Sequence, residues 1–216
     1  MTNNQSDPQG AGTTLLVLVV DRSGSMETIC SDMEGGIKHL IQEQATGPGH
    51  CVVTLAQFDT EYELVFEAVP AAEVTGYHLV PRGSTALLDA IGRTIGQVRS
   101  WLAKVPARQR PDQVVFAVVT DGLENSSREW TRDQVMAAVK ERSDAGWQFS
   151  FLGANQDAIK EGGNLGVDAA RAMTYSPAPH AVAAAMSSLS ESVKRVKTGQ
   201  DRVLSFTDEE RRKSQG

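Results

Sequence analysis

Four histidines and two cysteines are scattered through the 216 residues, and none of them falls at ligand spacing. His39, His50, His78 and His180 are dispersed, which argues against a zinc site of the usual His/Cys pattern. Cys30 and Cys51 make no C-x-x-C pair, so a redox or metal–thiolate motif is excluded; both read as reduced, partly buried thiols. Aromatic residues are only 6% of the chain, and Trp101, Trp130 and Trp147 are too far apart to suggest a stacking platform. Basic charge is short as well. Net charge is −6 and the pI about 5.3, which argues against broad binding to nucleic acid or an anionic membrane. No Lys/Arg cluster offsets that average; Arg108, Arg110, Arg128 and Arg132 read as solvated positions. No apolar run approaches a membrane span. Residues 1–8 have neither a positively charged start nor an apolar stretch, so they do not read as a secretory signal, and the expected location is cytoplasmic. Neither G-x-S-x-G nor a P-loop occurs.

What is present is a set of apolar runs alternating with helical patterns. Residues 14–20 and 113–120 are continuous apolar strands of the kind buried on both faces of a parallel sheet. Residues 51–59 and 62–69, joined by a short polar turn, predict an antiparallel hairpin, and 147–152 and 172–175 complete the strands. Helical spacing predicts helices from Ser25 or Met26 to Gln44, over 85–104 with Ser84 and Thr85 as caps, from a Thr131–Gln134 capping box to Ser143, and over 179–197. A single turn over 156–161 is expected to be broken by Gly162-Gly163, and Gly35-Gly36 are expected to let the first helix pack closely on the sheet. The whole predicts an α/β fold: a doubly wound, mostly parallel sheet of about six strands, one antiparallel edge strand, helices on both faces. Residues 1–12 are expected as a disordered tail, 13–198 as one domain and 199–216 as a polar tail.

Chemistry concentrates at the strand ends. The first strand runs into Asp21-Arg22-Ser23-Gly24-Ser25, and the fourth into Thr120-Asp121-Gly122, the ends at which open α/β sheets place ligands. Between them lies a glycine-bearing loop with Thr85. Asp21, Ser23, Ser25, Thr85 and Asp121 supply only oxygen, which suits a hard cation rather than zinc. Each residue has a plainer reading: Ser23 and Ser25 as caps of the first helix, Thr85 of the second, Asp121-Gly122 as a turn. These five residues, in this order and context, resemble the von Willebrand factor A (vWA) family and its metal-ion-dependent adhesion site, over roughly residues 13–197. The resemblance implies a vWA/Rossmann-like fold and Mg²⁺, with Mn²⁺ or Ca²⁺ as alternatives. It also implies direct binding by Ser23 and Ser25, by Thr85 directly or through water, and indirect roles for Asp21 and Asp121.

The resemblance further implies a protein partner whose Asp or Glu completes the ion's shell, and no catalysis. Glu27 and Glu124 flank the site, so a metal-assisted hydrolase is the less favoured alternative. A third is a scaffold subunit of a cytoplasmic assembly, working with an AAA+ ATPase or a stress-response kinase or phosphatase; residues 151–157 look similar to stand-alone prokaryotic or phage members. By the same resemblance the helix over 179–197 either couples to the site or only closes the core. Asp89 is read as a capping or solvated residue that can orient its loop, and Asp157 and Asp168 flank a turn rather than a second calcium loop.

Overall fold

The computed structural model describes residues 12–154 and 156–216; the expected N-terminal tail, up to residue 11, and Asn155 lie outside them. The elements run β1 (Thr13–Asp21), α1 (Cys30–Thr46), β2 (His50–Phe58), β3 (Tyr62–Pro70), α2 (Leu87–Lys104), β4 (Gln113–Thr120), α3 (Arg132–Asp144), β5 (Gln148–Ala154), α4 (Ala158–Asn164), β6 (Ala172–Tyr175), α5 (Pro179–Lys197) and α6 (Asp208–Gln215). The six strands form one sheet in the order β3-β2-β1-β4-β5-β6. Every pairing is parallel except β2–β3, so β3 is the antiparallel edge strand that the short turn after Phe58 predicts.

β1 is the central strand, and its alternation divides the core. Leu16, Leu18 and Val20 join the layer under α1 and α5, while Leu15, Val17 and Val19 join the layer under α2 and α3. All six are at most 1% exposed, so burying them contributes on the order of 10 kcal/mol before chain entropy is set against it. The strand order reverses between β1 and β4, where Val20 lies opposite Val119. That is the switch point at which doubly wound sheets open a crevice, and it puts Asp21, the last residue of β1, beside Asp121, the residue that follows β4.

Several boundaries differ from the sequence reading, each for a local reason. The first helix is preceded by a 3-10 turn, Gly24–Ile29, which is tighter than an α turn and keeps both serines close to the sheet end. α2 begins two residues after Thr85 and has no side-chain cap at Ala86, so Ser84 and Thr85 are not its caps. Gly36 faces α5, where a methyl would meet Met186 Cγ at 2.7 Å; it lets α1 approach α5 rather than the sheet. Gly162-Gly163 lie inside α4 instead of breaking it, because Gly162 packs on Phe151 of β5, 3.2 Å from where its Cβ would stand. Asp157 and Asp168 accept N–H groups of Lys160 and Ala170 as helix caps. The Thr131–Gln134 capping box is present at the start of α3.

Residues 199–216, expected as a polar tail, pack on the domain instead. Leu204 and Phe206 are buried in the α1/α5 layer, and a Thr207–Glu210 capping box starts α6. Arg211 donates to the carbonyls of Ala169, Ala170 and Ala172, covering the free edge at β6. Two apolar anchors in a polar segment are too few to register as periodicity. Among the described residues no helix is long and apolar enough to cross a membrane.

Two glycine substitutions separate helix propensity from packing. Gly35 has open space around it, so Gly35→Ala should raise stability by about 0.5–1 kcal/mol. A methyl at Gly92 would fall inside the Trp130 ring, so Gly92→Ala should lower stability by about 1–3 kcal/mol despite the same propensity gain. Urea midpoints of the two variants should move in opposite directions.

Candidate metal centre

The carboxyl ends of β1 and β4 carry Asp21, fully buried, and Asp121, 7% exposed. Asp21 Oδ1 accepts the Ser23 N–H at 2.6 Å, and its Oδ2 accepts the Thr120 hydroxyl at 2.5 Å. The two serine hydroxyls lie 3.0 Å apart, and Ser25 Oγ donates to Asp121 Oδ1 at 2.6 Å. Neither serine works as a helix cap; Ser23 stands before the 3-10 turn but makes no side-chain cap bond. Thr85 closes the group from the loop before α2. A Cβ built on Gly122 would stand 2.9 Å from Thr85 Oγ1, 3.4 Å from Ser25 Oγ and 3.6 Å from Asp21 Oδ2. Oxygens from the other two loops therefore crowd the α-carbon of Gly122, a space that only glycine at this position keeps open. The structure thus brings all five sequence-selected residues together.

A backbone lattice holds the loops in place. The Arg82 N–H donates to Arg22 O at 2.8 Å, Gly24 N–H to Gly83 O at 3.2 Å and Ala86 N–H to Asp59 O at 3.0 Å. Gly83 has φ 68°, in the left-handed region, and a side chain there would also strike Thr60 Oγ1. Beneath this loop Arg22 Nε and Arg82 Nε both reach Asp59 Oδ2 at 2.8 Å, and Arg22 also pairs with Glu63. Burial alone would raise the Asp59 carboxyl, but the Glu61 N–H and the Arg82 and Arg22 guanidiniums hold it below the usual carboxylate range.

On the other side Thr85 is tied to the loop after β4. Its N–H donates to Asn125 Oδ1 at 2.9 Å, and its carbonyl accepts the N–H groups of Asn125 and Ser126. Glu124 accepts the N–H groups of Leu88, Ser126 and Ser127 and the Ser127 hydroxyl. Asp89 accepts three consecutive N–H groups, Arg128 to Trp130, and so fixes the far end of that loop. Sequence reasoning missed Arg22, Asp59, Arg82, Thr120 and Asn125. Thr120 and Asn125 had a signal in their nearness to Asp121; nothing in spacing ties Asp59 to Arg22 and Arg82.

The electrostatics are those of an anionic, desolvated cluster. Burial pushes the Asp21 carboxyl up to about 6 against the Thr120 and Ser23 hydrogen bonds, and the Asp121 charge adds to the rise. Burial also raises Asp121, against its bond from Ser25. Two carboxylates and three hydroxyls, with no nitrogen or sulfur, form a donor set that fits a hard divalent cation. Among the described residues no three His, Cys, Asp or Glu side chains gather to hold a metal, so hydroxyls would have to supply most of the ligands here.

The raised Asp21 pKa fixes a pH dependence for the metal-free chain. A carboxyl whose folded pKa lies above its unfolded value favours folding fully below about pH 3.8, and that contribution is lost as pH rises through about 6. In chelator, the parent should lose more stability across this window than Asp21→Asn, in which Asp121 is the remaining buried acid of the site. Above it the variant should be more stable by up to about 3 kcal/mol, two pK units at about 1.4 each. Parallel stability–pH curves for the two proteins would contradict this account.

No protein-family model matches the sequence, and no curated protein is similar to it. Solved structures do share its fold. Proximal thread matrix protein 1 from the mussel byssus, with a zinc-occupied MIDAS (metal-ion-dependent adhesion site) motif, superposes with a TM-score of 0.62 at 15% identity, over 85% of this chain and 46% of that one. A von Willebrand factor type A protein from Catenulispora acidiphila gives 0.58 at 16% identity, over 85% and 43%. The vWF domain of the type V pili tip protein Mfa5 from Porphyromonas gingivalis gives 0.60 at 11% identity, over 84% and 95%. The chain thus spans less than half of the first two and nearly all of the third. With these superpositions over most of its length and a six-stranded, mostly parallel sheet, the chain has the von Willebrand factor A domain fold.

Proposed function

We propose that this domain is a metal-dependent protein-binding module, in which Asp21, Ser23, Ser25, Thr85 and Asp121 hold a divalent cation, Mg²⁺ first among the candidates. The observation that carries this reading is the convergence of Thr85 Oγ1, Ser25 Oγ and Asp21 Oδ2 around the space beside Gly122. A bound cation would offset the charge of two buried carboxylates and offer a position to a partner's Asp or Glu carboxylate. Hydroxyl ligands add no negative charge of their own, which leaves the cation receptive to an incoming anion. The zinc-occupied MIDAS motif of the mussel protein, which shares this fold, supports a divalent cation.

We read the domain as a binding module rather than a hydrolase. Glu124, the nearest carboxylate to Asp121 in sequence, has both oxygens engaged by four donors and is held as a structural clamp. A general base needs a lone pair free to reach a water or substrate proton. The cytoplasmic location is part of this proposal; Cys30 and Cys51 are unpaired, as thiols are in a reducing compartment.

The test begins with the ion. Calorimetric titration of the chelator-stripped chain with MgCl₂ or MnCl₂ should show one site, and Ser23→Ala with Ser25→Ala should abolish it while circular dichroism is unchanged. An array of Asp- and Glu-centred peptides should then bind the parent in Mg²⁺ and lose at least about tenfold in affinity in EDTA. Absence of saturable metal binding refutes the centre. Peptide capture that ignores the chelator refutes the mechanism while leaving the centre intact.

A further inference from the structure

The fold gathers a basic site from three elements that are separate in the sequence. Between Asp89 and Asp112 the chain has no acidic residue, while Arg93, Arg99, Lys104, Arg108 and Arg110 all fall there. Three elements then converge. Arg99 from α2, Arg110 from the α2–β4 loop and Arg142 from the last turn of α3 line one cleft of about 580 Å³. It opens at the amino ends of β4 and β5, the opposite edge of the sheet from Asp21 and Asp121.

The charges in this cleft are unevenly spent. Arg142 is paired with its neighbour Glu141. Asp112, the one carboxylate in the lining, accepts the Thr13 N–H at 2.8 Å and so fastens the start of β1. Arg99 and Arg110 are exposed and have no carboxylate partner among the described residues. Arg110 Nε donates to Val105 O at 3.0 Å, which orients the guanidinium while its two terminal nitrogens keep no hydrogen bond among the described residues. The other walls are apolar, with Leu102, Pro111, Val114 and Trp147 among them. The carboxyl ends of α2 and α3 meet here and their dipoles work against an anion. Lys104 in the last turn of α2 opposes that effect, and guanidinium–phosphate bonds are among the strongest polar contacts available.

We propose that this cleft binds a small phosphorylated molecule, its phosphate between Arg99 and Arg110 and an apolar or aromatic portion against Leu102, Pro111 and Trp147. A phosphate monoester carries about −1.5 to −2 charge at pH 7, matching two unpaired guanidiniums. The volume lies within the range of sites for small organic ligands. Two planar guanidiniums from separate elements suit a phosphate's several acceptor oxygens better than a single carboxylate. The site does not depend on the metal centre, so its test is run in EDTA.

The full chain is titrated with phenyl phosphate and with inorganic phosphate, followed by calorimetry or by amide shifts. Phenyl phosphate should saturate and bind more tightly than inorganic phosphate, because it uses both halves of the cleft. The double variant Arg99→Gln/Arg110→Gln changes exposed positions only, so its circular dichroism should match the parent, and its affinity should fall by at least about tenfold. Arg108→Gln removes a nearby charge outside the lining and should leave affinity within about twofold. Binding that survives the double variant, an equal loss in Arg108→Gln, or no saturation at about 10 mM phenyl phosphate overturns the site. Equal affinity for the two compounds overturns its apolar half.

Discussion

A buried carboxylate governs the upper edge of this domain. Asp21 ends a strand whose preceding six side chains have left water almost completely, so the same burial that drives folding isolates a charge. Desolvation of an unpaired carboxylate is unfavourable, and two hydrogen bonds from Thr120 and Ser23 offset it only in part, as the raised pKa shows. Asp121 adds a second negative group just past the end of the adjoining strand. No guanidinium or ammonium reaches either carboxylate among the described residues; the nearby arginines, Arg22 and Arg82, are engaged with Asp59. The site is therefore tense by design of its charges, with stability given up at a place where a cation would restore it.

The surrounding lattice explains how such a cluster is held together. Three loops meet above the sheet, each tied to the next through backbone hydrogen bonds rather than through the five site side chains alone. Arg22 joins the first loop to Asp59, whose carbonyl also accepts the Ala86 N–H at the base of the second. Thr85 joins the second to the third through Asn125. Glu124 and Asp89 turn what would be free carboxylates into clamps for main-chain N–H groups. Loss of a site hydroxyl should thus weaken a ligand without collapsing the loops, whereas loss of Asp59 would strip the buried Arg22 Nε of its carboxylate and leave Glu63 as that guanidinium's remaining partner, a destabilising change.

The two edges of the sheet carry opposite character. At the carboxyl ends, buried acids and hydroxyls face one another; at the amino ends of β4 and β5, guanidiniums line an apolar cleft. A net charge of −6 averages over this division and conceals it. The segment after α5 adds a further layer, since Leu204, Phe206 and α6 shield the β6 edge that would otherwise present unpaired backbone groups.

The sequence by itself determined the strands and the sheet class, because continuous apolar runs are local signals, and through its resemblance to a known motif it singled out the five residues that the fold brings together. β4 is found at the bounds its apolar run marks, and the short polar turn after Phe58 correctly forecasts the antiparallel edge. Only the tertiary structure decided where α1 and α2 begin, since those starts depend on hydrogen bonds to distant loops. It alone decided that Gly162 packs a helix instead of ending one, and that the last eighteen residues dock. It also joined Arg22 to Asp59 and Arg99 to Arg110 and Arg142 across one cleft. Those features rest on contacts between residues far apart in the chain, and the periodicity of a single segment holds no record of what will be folded against it.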